Sequence, residues 1–343
     1  MAKIKLLTFS ASYSFGAVLQ CYALYKVLSE MGHDVELLRI PLKKSNCGFI
    51  GDLSGRINKL FVGQFKRKSL PRMISLENDH INDDDIYIVG SDQVWNPDIT
   101  KNVALDYFFN FLPDNVKRIS YAASFGNSEW LHDEIKPDVS ECLQKFLAIS
   151  VRESSGVNIC KEVFNINSVL TLDPTLLLDN YDELLISKKP KKVELLVVFS
   201  FLKNTSERLN FFRYIGEKTN TRPMLMHERR MHKGISNIPW VTVEQWVSQI
   251  AHSSFVITDS FHCTVFAIIH RKQFIALPAD KKRVGRILNL LDSLGLTDRW
   301  FPDIESVYKT TNWLKPIHYD EVFEKIKVLR SASINFLNTA LNQ

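Results

Sequence analysis

Short apolar runs alternate with segments of helical periodicity along almost the whole chain, and few folds accept that alternation. Runs of four to nine apolar residues bounded by polar turns read as buried strands, and repeats at three and four residues read as helices. Strands are predicted over 3–9, 35–40, 86–89, 118–123, 148–151 and 169–172, with helices over 15–31 and 132–146. Gly32 is placed to close the first helix as a C-cap. After a lysine-rich connection at 187–192 the pattern restarts. Strands are predicted over 193–201, 223–227, 255–258 and 274–277, and helices over 206–218, 243–252, 264–270 and 283–294. A long amphipathic helix over 319–341 ends the series. From 41 to 85 the signal degrades: Gly48, Gly51, Gly55 and Gly63 punctuate a basic stretch around Lys66, Arg67 and Lys68, which reads as a loop with short helices. Strand-helix alternation implies parallel α/β sheets. A length of 343 residues fits two domains. Two Rossmann-like domains, 1–187 and 188–343, facing across a cleft are the simplest architecture, with the boundary in the lysine-rich connection.

Composition excludes several classes. A net charge of +5 is mild, and no dense basic run is interleaved with aromatics, so a nucleic-acid partner is not expected. The charge suits an acidic small substrate or work near anionic lipid. No apolar stretch approaches membrane-spanning length, so any membrane contact is expected to be peripheral. The five cysteines, Cys21, Cys47, Cys142, Cys160 and Cys263, include no CxxC pair. The start reads as a strand and not as a secretion signal, and an odd thiol count fits a reducing cytoplasm. No HxH or HExxH spacing calls for a metal. The absence of GxGxxG, Walker and GxSxG patterns gives no support to dinucleotide binding, ATP binding or a Ser–His–Asp hydrolase.

The most informative junction is Asp259-Ser260-Phe261-His262-Cys263, where an apolar strand runs into an apolar helix. Asp259 or Ser260 suits the N-cap. Such a junction lies at the carboxyl end of its strand, where α/β folds bind ligands. The helix start seats an anion, and His262 there has a proton to give. The alternative is a histidine that only packs and caps.

A second junction, Gly90-Ser91-Asp92-Gln93-Val94-Trp95-Asn96-Pro97, gathers a carboxylate, two amides and an indole after a strand. Asp92 and Gln93 suit sugar hydroxyls and Trp95 a sugar ring. An Asx-type turn with Trp95 in the core stays open. Gly16 at the first helix start permits close backbone approach, as a phosphate or sugar site needs, although small residues also serve tight packing. Arg152 at a strand end suits a carboxylate or phosphate, or an ion pair with Asp173 or Glu153. The run from His227 to Lys233 could gather an anion or form a solvated loop.

Six ordered pieces resemble the polysaccharide pyruvyl transferase family. They are Tyr13-Ser14-Phe15-Gly16-Ala17-Val18-Leu19-Gln20, Val89 through Pro97, Ser150-Val151-Arg152-Glu153, Leu172-Asp173-Pro174-Thr175-Leu176, Ile257 through Phe266, and Arg286-Ile287-Leu288-Asn289-Leu290-Leu291. The resemblance runs from about Ile4 to Arg299. Two positions depart from the family pattern. Cys263 stands where glycine is usual and could narrow the pocket, and Ser14-Phe15-Gly16 replaces Asn-Tyr-Gly. The resemblance implies a glycosyltransferase-B-like fold. It also implies transfer of a pyruvyl group from phosphoenolpyruvate onto two hydroxyls of a sugar, as a cyclic ketal, in cell-surface polysaccharide biosynthesis.

On that reading the N-terminal domain is the acceptor side and the C-terminal domain the donor side. His262 is the general acid and Asp92 the base. Arg152 and Ser260 hold the donor, Gly16, Gln93, Trp95 and Arg286 complete the substrate-binding set, and no cofactor is required. Free, nucleotide-linked and lipid-linked acceptors all remain open, and the enzyme is expected in the cytoplasm, with work at the inner membrane face among the options. Two other readings stay open: a nucleotide-sugar glycosyltransferase of the same shape, and a non-catalytic sugar-phosphate binding protein.

Overall fold

The computed structural model describes residues 1–9, 14–40, 53–75, 81–186, 194–279 and 284–343. The expected boundary at 187–192 lies outside the described residues, as do Tyr13, Gly48, Gly51 and Arg283. The chain divides into two compact units. Unit 1 comprises Met1–Gly51, Gly63–Leu178 and Ile326–Gln343, and unit 2 comprises Asp52–Val62 and Asp179–Lys325.

The first part of the chain runs β1 (Lys3–Leu7), α1 (Phe15–Glu30), β2 (Asp34–Arg39), α2 (Leu53–Ser69), β3 (Met73–Ser75), β4 (Ile86–Val89) and α3 (Pro97–Thr100). It continues through β5 (Lys117–Ala123), α4 (Lys136–Gln144), β6 (Ala148–Val151), α5 (Ser154–Asn158) and β7 (Val169–Leu170). Its sheet has the order β3-β2-β1-β4-β5-β6-β7. Every pairing is parallel. All four residues of β4 are buried, the continuous apolar pattern of a strand covered on both faces. The order reverses direction at β1 and β4, where Leu7 pairs with Val89.

The second part runs β8 (Leu195–Phe199), α6 (Ser206–Thr219), β9 (Arg222–Met226), β10 (Ser236–Ile238), α7 (Val243–His252), β11 (Phe255–Thr258), α8 (Phe261–Ile269), β12 (Gln273–Ala276), α9 (Val284–Leu294), α10 (Ile304–Tyr308) and α11 (Tyr319–Leu341). Its sheet, β10-β9-β8-β11-β12, is also wholly parallel and reverses at β8 and β11, where Phe199 pairs with Thr258. Both sheets are therefore doubly wound, and each has one switch point.

Several expectations need correction. The stretch read as loop with short helices contains α2, a 17-residue helix. Its glycines and cations hide an apolar side made by Val62 and Phe65, which are 0% and 1% exposed. The three-residue strands β3 and β10 were not foreseen, because so short a run shows no period. Helix α8 begins at Phe261 and not at Thr264. The C-terminal helix, assigned whole to the second domain, divides: its part from Ile326 onward belongs to unit 1. There Arg330 donates to the carbonyls of Leu176 (2.8 Å) and Leu178 (3.1 Å), and the Ser333 hydroxyl accepts from the Leu172 amide (3.0 Å).

Candidate active site

The switch point of unit 1 carries the Gly90–Asn96 junction. Gly90 has φ +136°, and a Cβ there would lie 1.8 Å from the Tyr121 carbonyl oxygen, so the backbone approach requires glycine. Asp92 follows in the left-handed region at φ +73°, which aspartate tolerates better than most residues. Its carbonyl accepts from the Ser124 amide at 3.0 Å, fastening the turn to the end of β5. On the other side, the Gln20 amide group from α1 reaches into the junction. Gln20 Oε1 accepts from the Ser91 amide (3.2 Å), and Gln20 Nε2 donates to Thr8 Oγ1 (2.8 Å). Thr8 in turn donates to the Ser91 carbonyl (3.1 Å). The ends of β1 and β4 and the first helix are thus joined by buried polar contacts.

Arg152, at the end of β6, enters the same cluster. Its guanidinium lies 2.6 Å from Asp173, 3.4 Å from Asp92 and 3.8 Å from Glu153. Burial alone would lower its pKa, but the three carboxylates, Asp173 foremost, hold it above the ordinary range. One cation among three carboxylates does not recruit an anion; it holds the carboxylates in place. The expected donor-anchoring role of Arg152 is therefore corrected to the ion-pair alternative. Asp173 caps the turn at Pro174–Leu176 through the Thr175 amide (3.0 Å) and also accepts from Ser91 Oγ (3.3 Å). Glu153 accepts from Ser124 Oγ (2.6 Å). Within the cluster Asp92 has the most accessible side chain, at 12%.

Two neighbours of Asp92 have partners of their own. Trp95 is 0% exposed, stacked on Phe108 with ring centres 5.2 Å apart, and its indole N–H donates to the Tyr107 carbonyl (3.0 Å). It belongs to an aromatic core and offers no face to a sugar, which corrects that expectation. Gln93 Oε1 accepts from Asn96 Nδ2 at 3.1 Å, inside the turn. Gly126, at φ +77°, makes room for that pair: a Cβ there would sit 2.3 Å from Gln93 Oε1. Gly16 lies buried in the first turn of α1, after the N-cap Ser14.

The switch point of unit 2 carries the second junction. Asp259, one of the two cap candidates, instead ties this junction to the end of β8. Its carboxylate accepts from the amides of Phe201 (2.8 Å) and Leu202 (3.4 Å) and from the Ser200 hydroxyl. Arg208 of α6 donates to Ser200 Oγ (2.6 Å) and lies 3.9 Å from Asp259. Ser260 is the N-cap, with Oγ accepting from the Cys263 amide at 3.4 Å. Thr258 Oγ1 receives the Ser260 amide (3.0 Å) and donates to the Phe199 carbonyl (2.7 Å).

His262 therefore sits in the first turn of a helix whose entry is fixed from both sides. It is 8% exposed, with the Phe261 ring edge-on at 5.1 Å between centres. Cys263 is fully buried, and burial pushes its thiol up to about 12. Arg286 is partly buried in the first turn of α9, which follows β12, the strand beside β11.

Sequence reasoning missed Thr8, Ser200 and Arg208, whose types carry no local signal. His227, the first residue of the run read as an anion-gathering or solvated loop, directly follows β9 at φ +63° with its ring 6.1 Å from that of Phe199. Burial lowers the His227 pKa. In the run that follows, Arg229, Arg230, Met231 and Lys233 are exposed. Glu228 organises the run, accepting from Asn204 Nδ2 and the Arg230 amide, both at 2.7 Å.

Comparison with known proteins places this geometry. No curated protein matches the chain. Among solved structures it is similar to UDP-GlcNAc 2-epimerase from Neisseria meningitidis bound to UDP-GlcNAc, with 12% identity, full coverage of both chains and a TM-score of 0.60. The S. aureus MnaA–UDP structure is similar at 12% identity, covering 100% of this chain and 97% of that one, with a TM-score of 0.58. A glycosyltransferase from Rickettsia africae is similar at 11% identity, covering 99% and 96%, with a TM-score of 0.51. At such identities the likeness is one of fold, the glycosyltransferase-B-like arrangement of two doubly wound units. The polysaccharide pyruvyl transferase family model matches residues 15–281, from the first turn of α1 to the segment after β12, and takes in both switch-point junctions. This chain belongs to the polysaccharide pyruvyl transferase family.

Proposed function

We propose that the protein transfers the pyruvyl group of phosphoenolpyruvate to two hydroxyls of a sugar, forming a cyclic ketal in cell-surface polysaccharide biosynthesis. One observation carries the reading beyond family membership: His262 stands in the first turn of α8, directly after the strand end at the unit 2 switch point. A helix start favours the donor's phosphate and carboxylate, and a histidine beside them is placed to act as general acid. Arg286, at the start of the neighbouring helix, is a second cation for the same anion.

The chemistry balances with these groups. His262 protonates the methylene carbon of the enol, leaving a cationic centre at C2. A sugar hydroxyl adds there and gives its proton to Asp92. Phosphate departs with the C2–O electron pair, and the second hydroxyl closes the ketal. Of the two hydroxyl protons, one replaces the proton given to the methyl group and the other leaves with phosphate. Arg152 is assigned a positioning role, orienting Asp92. Gln93 and Gly16 are assigned to the acceptor's surroundings, and Ser260 to fixing the helix entry.

The test is incubation with phosphoenolpyruvate and a panel of free, nucleotide-linked and lipid-linked sugars. Phosphate release together with the mass gain of a pyruvyl ketal supports the proposal. Consumption of a nucleotide sugar with no phosphate released from phosphoenolpyruvate assigns the chain to glycosyl transfer instead.

A further inference from the structure

Helix α2 has two contrasting sides. Val62 and Phe65 are 0% and 1% exposed, and Phe65 packs against Tyr22 with ring centres 5.7 Å apart. The other side carries Arg56, Lys59, Leu60, Gln64, Arg67 and Lys68, all exposed. Arg56, Lys59, Leu60 and Arg67 recur at i, i+3, i+4 and i+11, so they share one face of the helix. Leu60, at 63% exposure, is an apolar side chain set among these cations. No acidic residue occurs in the sequence between Asp52 and Glu77, while Arg72 adds a further exposed cation just past the helix. A surface helix ordinarily mixes both signs of charge, which makes an acid-free stretch of this length informative.

We infer that the exposed face of α2 docks on a bilayer of anionic lipids, lying in the plane of the headgroups. Charge complementarity selects an anionic partner, and Leu60 selects a membrane among anionic partners. An aliphatic side chain inside a cationic face can enter the acyl boundary while its neighbours stay with the headgroups. A single-stranded nucleic acid would call for exposed aromatic platforms on that face, and its exposed residues are all non-aromatic. Among the described residues no helix is long and apolar enough to cross a membrane, so this contact is a surface one. The inference is independent of the pyruvyl-transfer reading, because docking is measured with no substrate present.

The experiment is co-sedimentation of the full chain with vesicles of phosphatidylcholine, with and without phosphatidylglycerol, at low and high salt. The wild-type protein should pellet with the anionic vesicles at low salt and be released at high salt. The variant Arg56→Gln/Lys59→Gln/Arg67→Gln/Lys68→Gln should lose on the order of 10²–10³-fold in partitioning, about five-fold per cation removed. Leu60→Ser alone should weaken binding a few-fold with its salt dependence unchanged. Circular dichroism melts check that both variants remain folded, and the wild-type salt response tests the inference without any variant. Undiminished binding by the four-fold variant overturns it, as does equal wild-type binding to pure phosphatidylcholine. Binding to soluble dextran sulfate but not to anionic vesicles also overturns it and reassigns the face to a soluble polyanion.

Discussion

Arg152 and Asp173 form a buried ion pair: Nη1 lies 2.6 Å from Oδ2, with the two side chains 3% and 1% exposed. Asp173 also accepts from Ser91 and Thr175, so one carboxylate joins the junction after β4, the end of β6 and the turn at Pro174. Removing one partner of such a pair strands the other charge in the interior. Arg152→Met or Asp173→Leu should each cost about 3–5 kcal/mol. The double variant should lose less than the sum of the two, because neither charge is then left without the other. Denaturant unfolding of the four proteins measures this, and strictly additive losses would contradict the coupling.

Asp92 is the most accessible carboxylate of that cluster, and Asp92→Asn keeps its shape while removing the base. Turnover should fall by on the order of 10²–10⁴. Stabilisation of the protein by phosphoenolpyruvate in a thermal melt should persist. If donor affinity falls in step with turnover, the side chain serves to hold the fold of the junction and not to accept a proton.

His262→Gln retains a hydrogen-bonding side chain but has no acidic proton to give. Phosphate release should drop by on the order of 10²–10⁴ per folded molecule while the melting temperature stays near that of the wild type. A histidine that only packs gives the reverse pattern, a lowered melt with normal turnover in the folded fraction.

His270, the C-cap of α8, provides a pH test of stability. Burial, assisted by Lys272 and His252, pushes its pKa from 6.5 down to about 4. Between those values the unfolded chain takes up a proton that the folded protein refuses. The stability is fully present above the unfolded value and is lost as pH falls through the window, by about 3 kcal/mol at most. His270→Leu removes this titration. Relative to wild type, the variant should gain stability between about pH 7 and about pH 5, as read by denaturant midpoints. Parallel loss in both proteins would assign the acid sensitivity to other groups.

Residues close in sequence made much of this protein legible. The alternation of periods is set by neighbours within a turn or two, so it identified two parallel α/β sheets and most of their elements. The cap of α8 was narrowed to Asp259 or Ser260 because an N-cap acts over three residues, although the helix itself was expected to begin only at Thr264. Where local signals conflicted, reading failed: the glycines and cations of α2 masked the buried Val62 and Phe65.

Tertiary structure alone decided the rest. Strand order, which no local period encodes, brings the end of β1 beside that of β4 and the end of β8 beside that of β11. That order makes both junctions switch points. It also joins Gln20 to Ser91 across 71 positions and Phe201 to Asp259 across 58. Trp95 looked equally suited to a sugar and to a core until Phe108, Phe125 and Phe146 closed around it. Arg152 looked equally suited to an anion and to an ion pair until the fold set three carboxylates against it. A side chain's type limits what it can bind, but its partners depend on which strands the chain lays side by side.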